Sequence, residues 1–339
     1  MSDNVLDKIV DSLRNSGTNL FPDHAELKAV RVVGHTPKPD HYTYEVVLDF
    51  SDSSERVSAK IYRSAKSAGP SVRDLAKREL SSLQLIANAA VKSQLDGVPR
   101  AVGDFSELGA VVSTKVNGLP LQSIVMKAAL LPDFGNDGLL DGAAQKTGQW
   151  LRRFHEATAS DPQPIDGKGL LSEVERLCSK AQKDGLARDS VESILDYVES
   201  NLAKIKKPLP CSAVLNDFVP LNVMISDHGV GFCEFAALSP RGSSLYDVAN
   251  FLAAVEALEK YPFCDRRLTS LLQESFTRAY GLNSQEQQLL TVLKLKVLLQ
   301  MFAQGRAIKE GALRKKVMWA NVMKRFIQNA AERSMAPAA

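Results

Sequence analysis

Asp217 stands five residues before Asn222 in the run Leu215-Asn216-Asp217-Phe218-Val219-Pro220-Leu221-Asn222, and Glu234 follows twelve positions further on. The carboxylate of Asp217 can accept a hydrogen bond from a hydroxyl and later take its proton. An amide oxygen from Asn222 and a second carboxylate from Glu234 are hard oxygen donors of the kind magnesium requires. One base and two metal ligands are what phosphoryl transfer asks of a protein, because its catalysis is mostly positioning and charge stabilisation. An aspartate ahead of Pro220 can also do no more than cap a turn, so the spacing alone leaves both readings open.

Those side chains need elements to hold them. Val223 to Ser226, the turn Asp227-His228-Gly229 and Val230 to Cys233 read as a short hairpin directly after the loop. Far upstream, Leu27 to Val33, Tyr42 to Phe50 and Val57 to Arg63 are β-branched and aromatic runs, parted by Pro37-Lys38-Pro39-Asp40 and Ser51-Asp52-Ser53-Ser54. They predict three antiparallel strands. Ser71 to Ala90 predicts a helix, with Ser71 as cap, Asp74 in the first turn, and Leu75, Leu80, Leu83 and Ile86 near one face. Two more strands, near Ala101 to Phe105 and Ala110 to Val116, would complete a five-stranded sheet before Asn117-Gly118 breaks the pattern. A leading helix over 4–15 places Val5, Ile9, Val10 and Leu13 at helical spacing.

Beyond the breaker, helical periodicity returns at Gln122 to Leu130, Gly142 to Ala159, Leu170 to Lys183 and Ser190 to Ile205, and again from Leu245. The expectation is an α+β chain of two lobes, a sheet lobe over 1–116 and a helical lobe over 117–335.

Composition narrows the class. The chain has 339 residues, 45% of them hydrophobic, enough for a substantial core. With 42 basic against 39 acidic residues, the formal charge of +3 argues against nucleic-acid binding by overall field. Cys178, Cys211, Cys233 and Cys264 form no C-x-x-C pair, which suggests reduced thiols in a cytoplasmic protein rather than a zinc site or disulfide framework. The N-terminus lacks a basic segment followed by an apolar one, and Lys294 and Lys296 interrupt the most apolar late stretch, so neither export nor a membrane span is expected.

In order and spacing, these elements and residues resemble the aminoglycoside phosphotransferase and choline kinase-like enzymes, which share the protein-kinase fold. The resemblance covers roughly Leu27 to Val255. It implies ATP as nucleotide, magnesium as its ion, and a hydroxyl of a small molecule or saccharide as acceptor. Lys60, in Ala59-Lys60-Ile61, corresponds to the strand lysine aimed at the nucleotide phosphates, and Glu79 to the helix glutamate that pairs with it. Thr114 and Val116, at the strand end before the hinge, complete the implied nucleotide-binding set. Asp217 takes the place of the catalytic aspartate, Asn222 and Glu234 the places of the metal ligands, and Asp247 that of a helix-start aspartate bracing the loop. His155, in Leu151-Arg152-Arg153-Phe154-His155, matches a family helix behind the site and reads as a packing residue.

Three departures stand out. Leu215-Asn216 replaces the family's usual His-Gly before the aspartate. Glu234 replaces an aspartate, and its extra methylene moves the carboxylate outward, so the backbone must sit back, manganese must serve in place of magnesium, or transfer must be feeble. The phosphate-covering segment Val33-Gly34-His35-Thr36-Pro37-Lys38-Pro39-Asp40-His41 has one glycine, and its prolines remove amide donors. Lys38, His35 or His41 could supply charge there, or the segment could be an ordinary exposed turn. These departures keep a second reading in view, a degenerate kinase that binds without turnover. Arg306, Lys309, Arg314, Lys315, Lys316, Lys324 and Arg325 face one acid, Glu310; the run reads first as a solvated helix face, then as a contact for an anionic polymer or membrane, and as part of the acceptor side it favours a neutral or anionic acceptor over a polycation.

Overall fold

The structure is a computed structural model that describes residues 2–63, 70–131, 136–183, 185–261, 263–264 and 266–307. In chain order its elements are α1 (Ser2–Leu20), β1 (Leu27–Pro37), β2 (His41–Phe50), β3 (Ser54–Tyr62), α2 (Val72–Ser93), β4 (Ala110–Thr114), β5 (Leu119–Pro120) and α3 (Leu121–Leu130). Then come α4 (Asn136–Ala157), β6 (Ser160–Gln163), α5 (Gly167–Lys183), α6 (Arg188–Lys204), β7 (Leu209–Val214), β8 (Val223–Ser226), β9 (Gly229–Phe232) and β10 (Ser239–Ser243). Helices α7 (Leu245–Glu256), α8 (Arg266–Tyr280) and α9 (Ser284–Ala307) close the chain. It divides into two compact units, one of 1–118 with 226–238 and the other of 119–225 with 239–339.

In the first unit β1, β2, β3 and β4 form an antiparallel sheet in that order. Val46 and Leu48 of β2, Val57 and Ala59 of β3 and Val112 of β4 are buried in one cluster with Ile9 and Leu13 of α1. The apolar stripe of α1 is thereby covered. Helix α2 begins at Ser71, whose hydroxyl accepts from the Asp74 amide while the Asp74 carboxylate accepts from the Ser71 amide, a reciprocal capping box.

The sheet has four strands rather than five. The segment expected to supply the fifth joins β4 by one bridge, Ala101 to Ser113. The chain turns away because Gly103 takes a φ of 74°, and Asp104 Oδ1 then accepts from Ser106 N at 2.9 Å to start a turn of 3-10 helix over Ser106–Leu108. The segment 33–41 continues β1 and turns tightly into β2, with Lys38 N donating to His41 O at 2.8 Å.

Within the same unit, β9 is pinned by Phe232 N donating to Gly97 O at 3.0 Å. Gly97 has a φ of 78°, and a Cβ there would lie 2.1 Å from Val230 O, so only glycine allows this approach.

The second unit is mainly helical, with a small antiparallel sheet in the order β10-β7-β6 that sequence periodicity does not signal. Its aromatic core runs from α4 through the loop after β7 to α7 and α8: Trp150 and Phe218 rings lie 6.0 Å apart, Phe218 and Phe251 5.7 Å, and Phe251 and Phe276 4.2 Å. A Cβ on Gly148 would lie 2.5 Å from Phe276 O, so that glycine lets α4 and α8 approach closely. Among the described residues no helix is long and apolar enough to cross a membrane.

Candidate functional site

In the first unit, Lys60 projects from β3 into a nest of carboxylates. Its ammonium donates to Glu79 Oε1 at 3.1 Å and to Glu234 Oε1 at 2.6 Å. Lys60 and Glu79 side chains are only 11% and 6% exposed, so this is a buried charge cluster whose members depend on one another. The Tyr62 hydroxyl donates to the other Glu79 oxygen. Burial works against the Lys60 charge, but Glu79 and Glu234 outweigh it and hold the ammonium above its ordinary pKa. Burial raises the Glu79 carboxyl, against the pull of Lys60 and the Tyr62 hydrogen bond. The result is a fixed positive charge within reach of two acids.

Glu234 follows β9, and its Oε1 also accepts from Ala236 N at 3.2 Å. Thr114 is occupied with structure: its hydroxyl oxygen accepts from Arg100 N at 2.8 Å, securing the end of β4. Val116 lies against the hairpin, where a Cβ on Gly231 would come within 2.5 Å of Val116 Cγ1. His41 is buried and pairs with Asp40 at 2.9 Å, while His35 stacks on Tyr44 at 4.6 Å. Burial and then the Lys60 charge push the His41 imidazole below its usual range, against the pull of Asp40. Lys38 is exposed in the turn.

In the second unit, β7 delivers Leu215, Asn216 and Asp217. Asn216 adopts a φ of 62°, a left-handed conformation that asparagine tolerates better than most side chains, at the place where the resembling family commonly has glycine. Asp247, at the start of α7 and fully buried, accepts from Leu215 N and Asn216 N, both at 2.8 Å. Its Oδ2 also lies 3.1 Å from His155 Nε2, and His155 Nδ1 lies 2.9 Å from the Tyr280 hydroxyl. Asn250 Nδ2 donates to Asn216 O at 2.9 Å, and Asn216 Nδ2 donates to Ser239 Oγ at 2.9 Å. A buried network through Asp247 and a more exposed one through Asn250 and Ser239 therefore grip the loop before Asp217, and the Phe218 ring anchors it just after.

Asn222 Nδ2 donates to Asp217 O at 3.0 Å and to Asp217 Oδ2 at 2.9 Å. Both bonds tie Asn222 to Asp217 across the turn. The side-chain oxygens of Asn222, in the second unit, and of Glu234, in the first, are each hard donors of the kind magnesium takes. Among the described residues no group of three or more His, Cys, Asp or Glu side chains gathers as a metal cluster.

Sequence reasoning missed Tyr62 and Phe218. Tyr62 could have been found from its place two residues after Lys60 on a strand, which puts both on one face. Phe218 was signalled only as an aromatic side chain directly after Asp217. The basic run from Lys309 to Arg325 lies outside the described residues, and of Arg306 only the backbone in α9 is described.

The fold these elements define is protein-kinase-like, in the form found in small-molecule kinases. Among solved structures, the chain is similar to a glucosamine kinase in complex with glucosamine, ADP and inorganic phosphate, at 15% identity and a TM-score of 0.52 over 91% of this chain and 95% of that one. It is similar to an amicoumacin kinase in complex with AMP-PNP, calcium and its antibiotic, at 13% identity and a TM-score of 0.52 over 95% and 96% of the two chains. A third is choline kinase LicA from Streptococcus pneumoniae, at 13% identity and a TM-score of 0.52 over 96% and 99%. No protein-family model and no curated sequence matches the chain.

Proposed function

We propose that this protein is an ATP-dependent phosphotransferase that moves the γ-phosphate to a hydroxyl of a small molecule or saccharide. The observation that carries the reading is the buried Lys60 ammonium held by Glu79 and Glu234. A lysine immobilised this way is a preorganised countercharge for a polyphosphate whose charge shifts during transfer. Thr114 and Val116 mark the nucleotide-base end of the same unit in this reading.

Asp217 is the residue assigned to the acceptor. Its carboxylate orients the hydroxyl and takes its proton late, while Asp247, Asn250 and Phe218 hold the loop. Asn222 and Glu234 are the assigned ligands of magnesium, or of manganese, which would neutralise phosphate charge when bound. Asn222 has a second task, since one of its hydrogen bonds holds the Asp217 carboxylate and the other the Asp217 backbone carbonyl. A neutral or anionic acceptor remains our reading from the basic composition of the C-terminal segment. The free thiols Cys178, Cys211, Cys233 and Cys264 suit the cytoplasm, where ATP is available.

Thermal unfolding with ATP and magnesium, then with manganese, tests the reading. Binding to the folded state must raise the melting temperature. No stabilisation with either ion would sink it, and stabilisation without turnover across a panel of hydroxyl acceptors would leave a nucleotide-binding pseudokinase instead.

A further inference from the structure

The two carboxylates on Lys60 are held differently. Glu79 is shut in, with Lys60 on Oε1 and the Tyr62 hydroxyl on Oε2, so each oxygen has its own donor and the carboxylate plane is locked. The Glu234 side chain is 22% exposed, and its Oε1 is shared between Lys60 and Ala236 N. We propose that Tyr62 is a positioning residue that makes Glu79 the permanent partner of Lys60 and leaves Glu234 as the releasable one, free to turn to a divalent cation when nucleotide enters. This rests on the nucleotide reading above.

Geometry supports the division of labour. Tyr62 is buried and shares the face of β3 with Lys60, and the Lys60 ammonium lies 5.5 Å from the centre of its ring. The tyrosine thus contacts both members of the ion pair that must persist. A cation competing for Glu234 would leave Lys60 with one countercharge in a place that excludes water. A lone glutamate free to rotate would hold that ammonium poorly, because a buried charge needs well-aimed partners. Locking Glu79 keeps the lysine in line for phosphate at the moment Glu234 changes partner.

The experiment is calorimetric titration of the full chain with ADP and magnesium, using Tyr62→Phe, Glu79→Gln and the double variant. Phenylalanine keeps the ring and removes only the hydroxyl. Tyr62→Phe is expected to weaken ADP binding about tenfold, the scale of one hydrogen bond to a charged group, while the ligand-free protein, less stable for the acceptor left bare on Glu79, still unfolds in one cooperative transition. In the Glu79→Gln background the same change should add less than about twofold, because Tyr62 acts through Glu79. Unaltered affinity in Tyr62→Phe would overturn the proposal, as would an equal loss in both backgrounds. If the parent protein itself fails to bind ADP with magnesium, the nucleotide reading falls first and the role of Tyr62 with it.

Discussion

Glu234 Oε1 lies 2.6 Å from Lys60 Nζ, closer than Glu79 Oε1 at 3.1 Å. The glutamate that stands where the resembled family has aspartate is thus long enough to reach the lysine. Its extra methylene becomes a question of partner choice as well as of metal geometry.

Replacing Glu234 with aspartate shortens that reach. If the protein is an active phosphotransferase, the parent should show turnover, and Glu234→Asp should raise the ratio of magnesium-supported to manganese-supported rate, since magnesium tolerates distorted octahedra less well. Steady-state rates with each ion measure this. Activity that appears only after the change would instead favour a degenerate kinase.

Asp217→Asn should lower kcat by about a hundredfold or more, the scale of a lost general base, while leaving nucleotide affinity within about twofold. The reason is local. Asparagine can keep a contact with Asn222 but cannot take a proton. Parallel turnover and ADP titrations check the split, and equal loss in both would point to collapse of the loop.

Asp247→Ala removes the acceptor for two backbone N–H groups and a neighbour of His155 in a fully buried position. A loss of about 3 kcal/mol in unfolding free energy is expected from the stranded donors, with kcat falling as Asp217 loses its support. Urea unfolding followed by fluorescence of Trp150 and Trp319 reads the first effect. A change below about 0.5 kcal/mol would show that Phe218, Asn250 and Ser239 hold the loop without Asp247.

His41 supplies a pH test. Burial, then Lys60, lowers its pKa from the ordinary 6.5, so the unfolded chain binds a proton more readily than the folded one. Its contribution to stability is therefore present above about pH 6.5 and lost as pH falls through the folded value. Melting temperatures between about pH 7 and pH 5 should fall less steeply in His41→Asn than in the parent. Parallel slopes would mean that the imidazole is equally proton-accessible in both states.

The sheet unit was largely legible from the chain. The β-branched runs marked β1 to β3, and Ser71 with Asp74 marked the start of α2, because those signals lie in neighbouring residues. The fifth strand was misread: Ala101 to Phe105 has strand composition, but Gly103 and Asp104 turn the chain after one bridge. β6, β7 and β10 were harder still, being short, with β6 exposed throughout. Their pairing depends on segments that only the folded chain brings together.

By itself the sequence determined which residues could do chemistry: a base five positions from an amide ligand, a strand lysine, a helix glutamate and a late carboxylate. Residue type and spacing encode that capacity, since a loop of fixed length sets how near Asp217 and Asn222 can lie. Tertiary structure alone decided how they are held. That Lys60 chooses Glu234 as well as Glu79, that Tyr62 locks the second, and that Asp247 grips Leu215 and Asn216 are contacts between residues 17 to 174 positions apart. No local preference specifies them; they exist because burial leaves each charge and each amide with one set of partners.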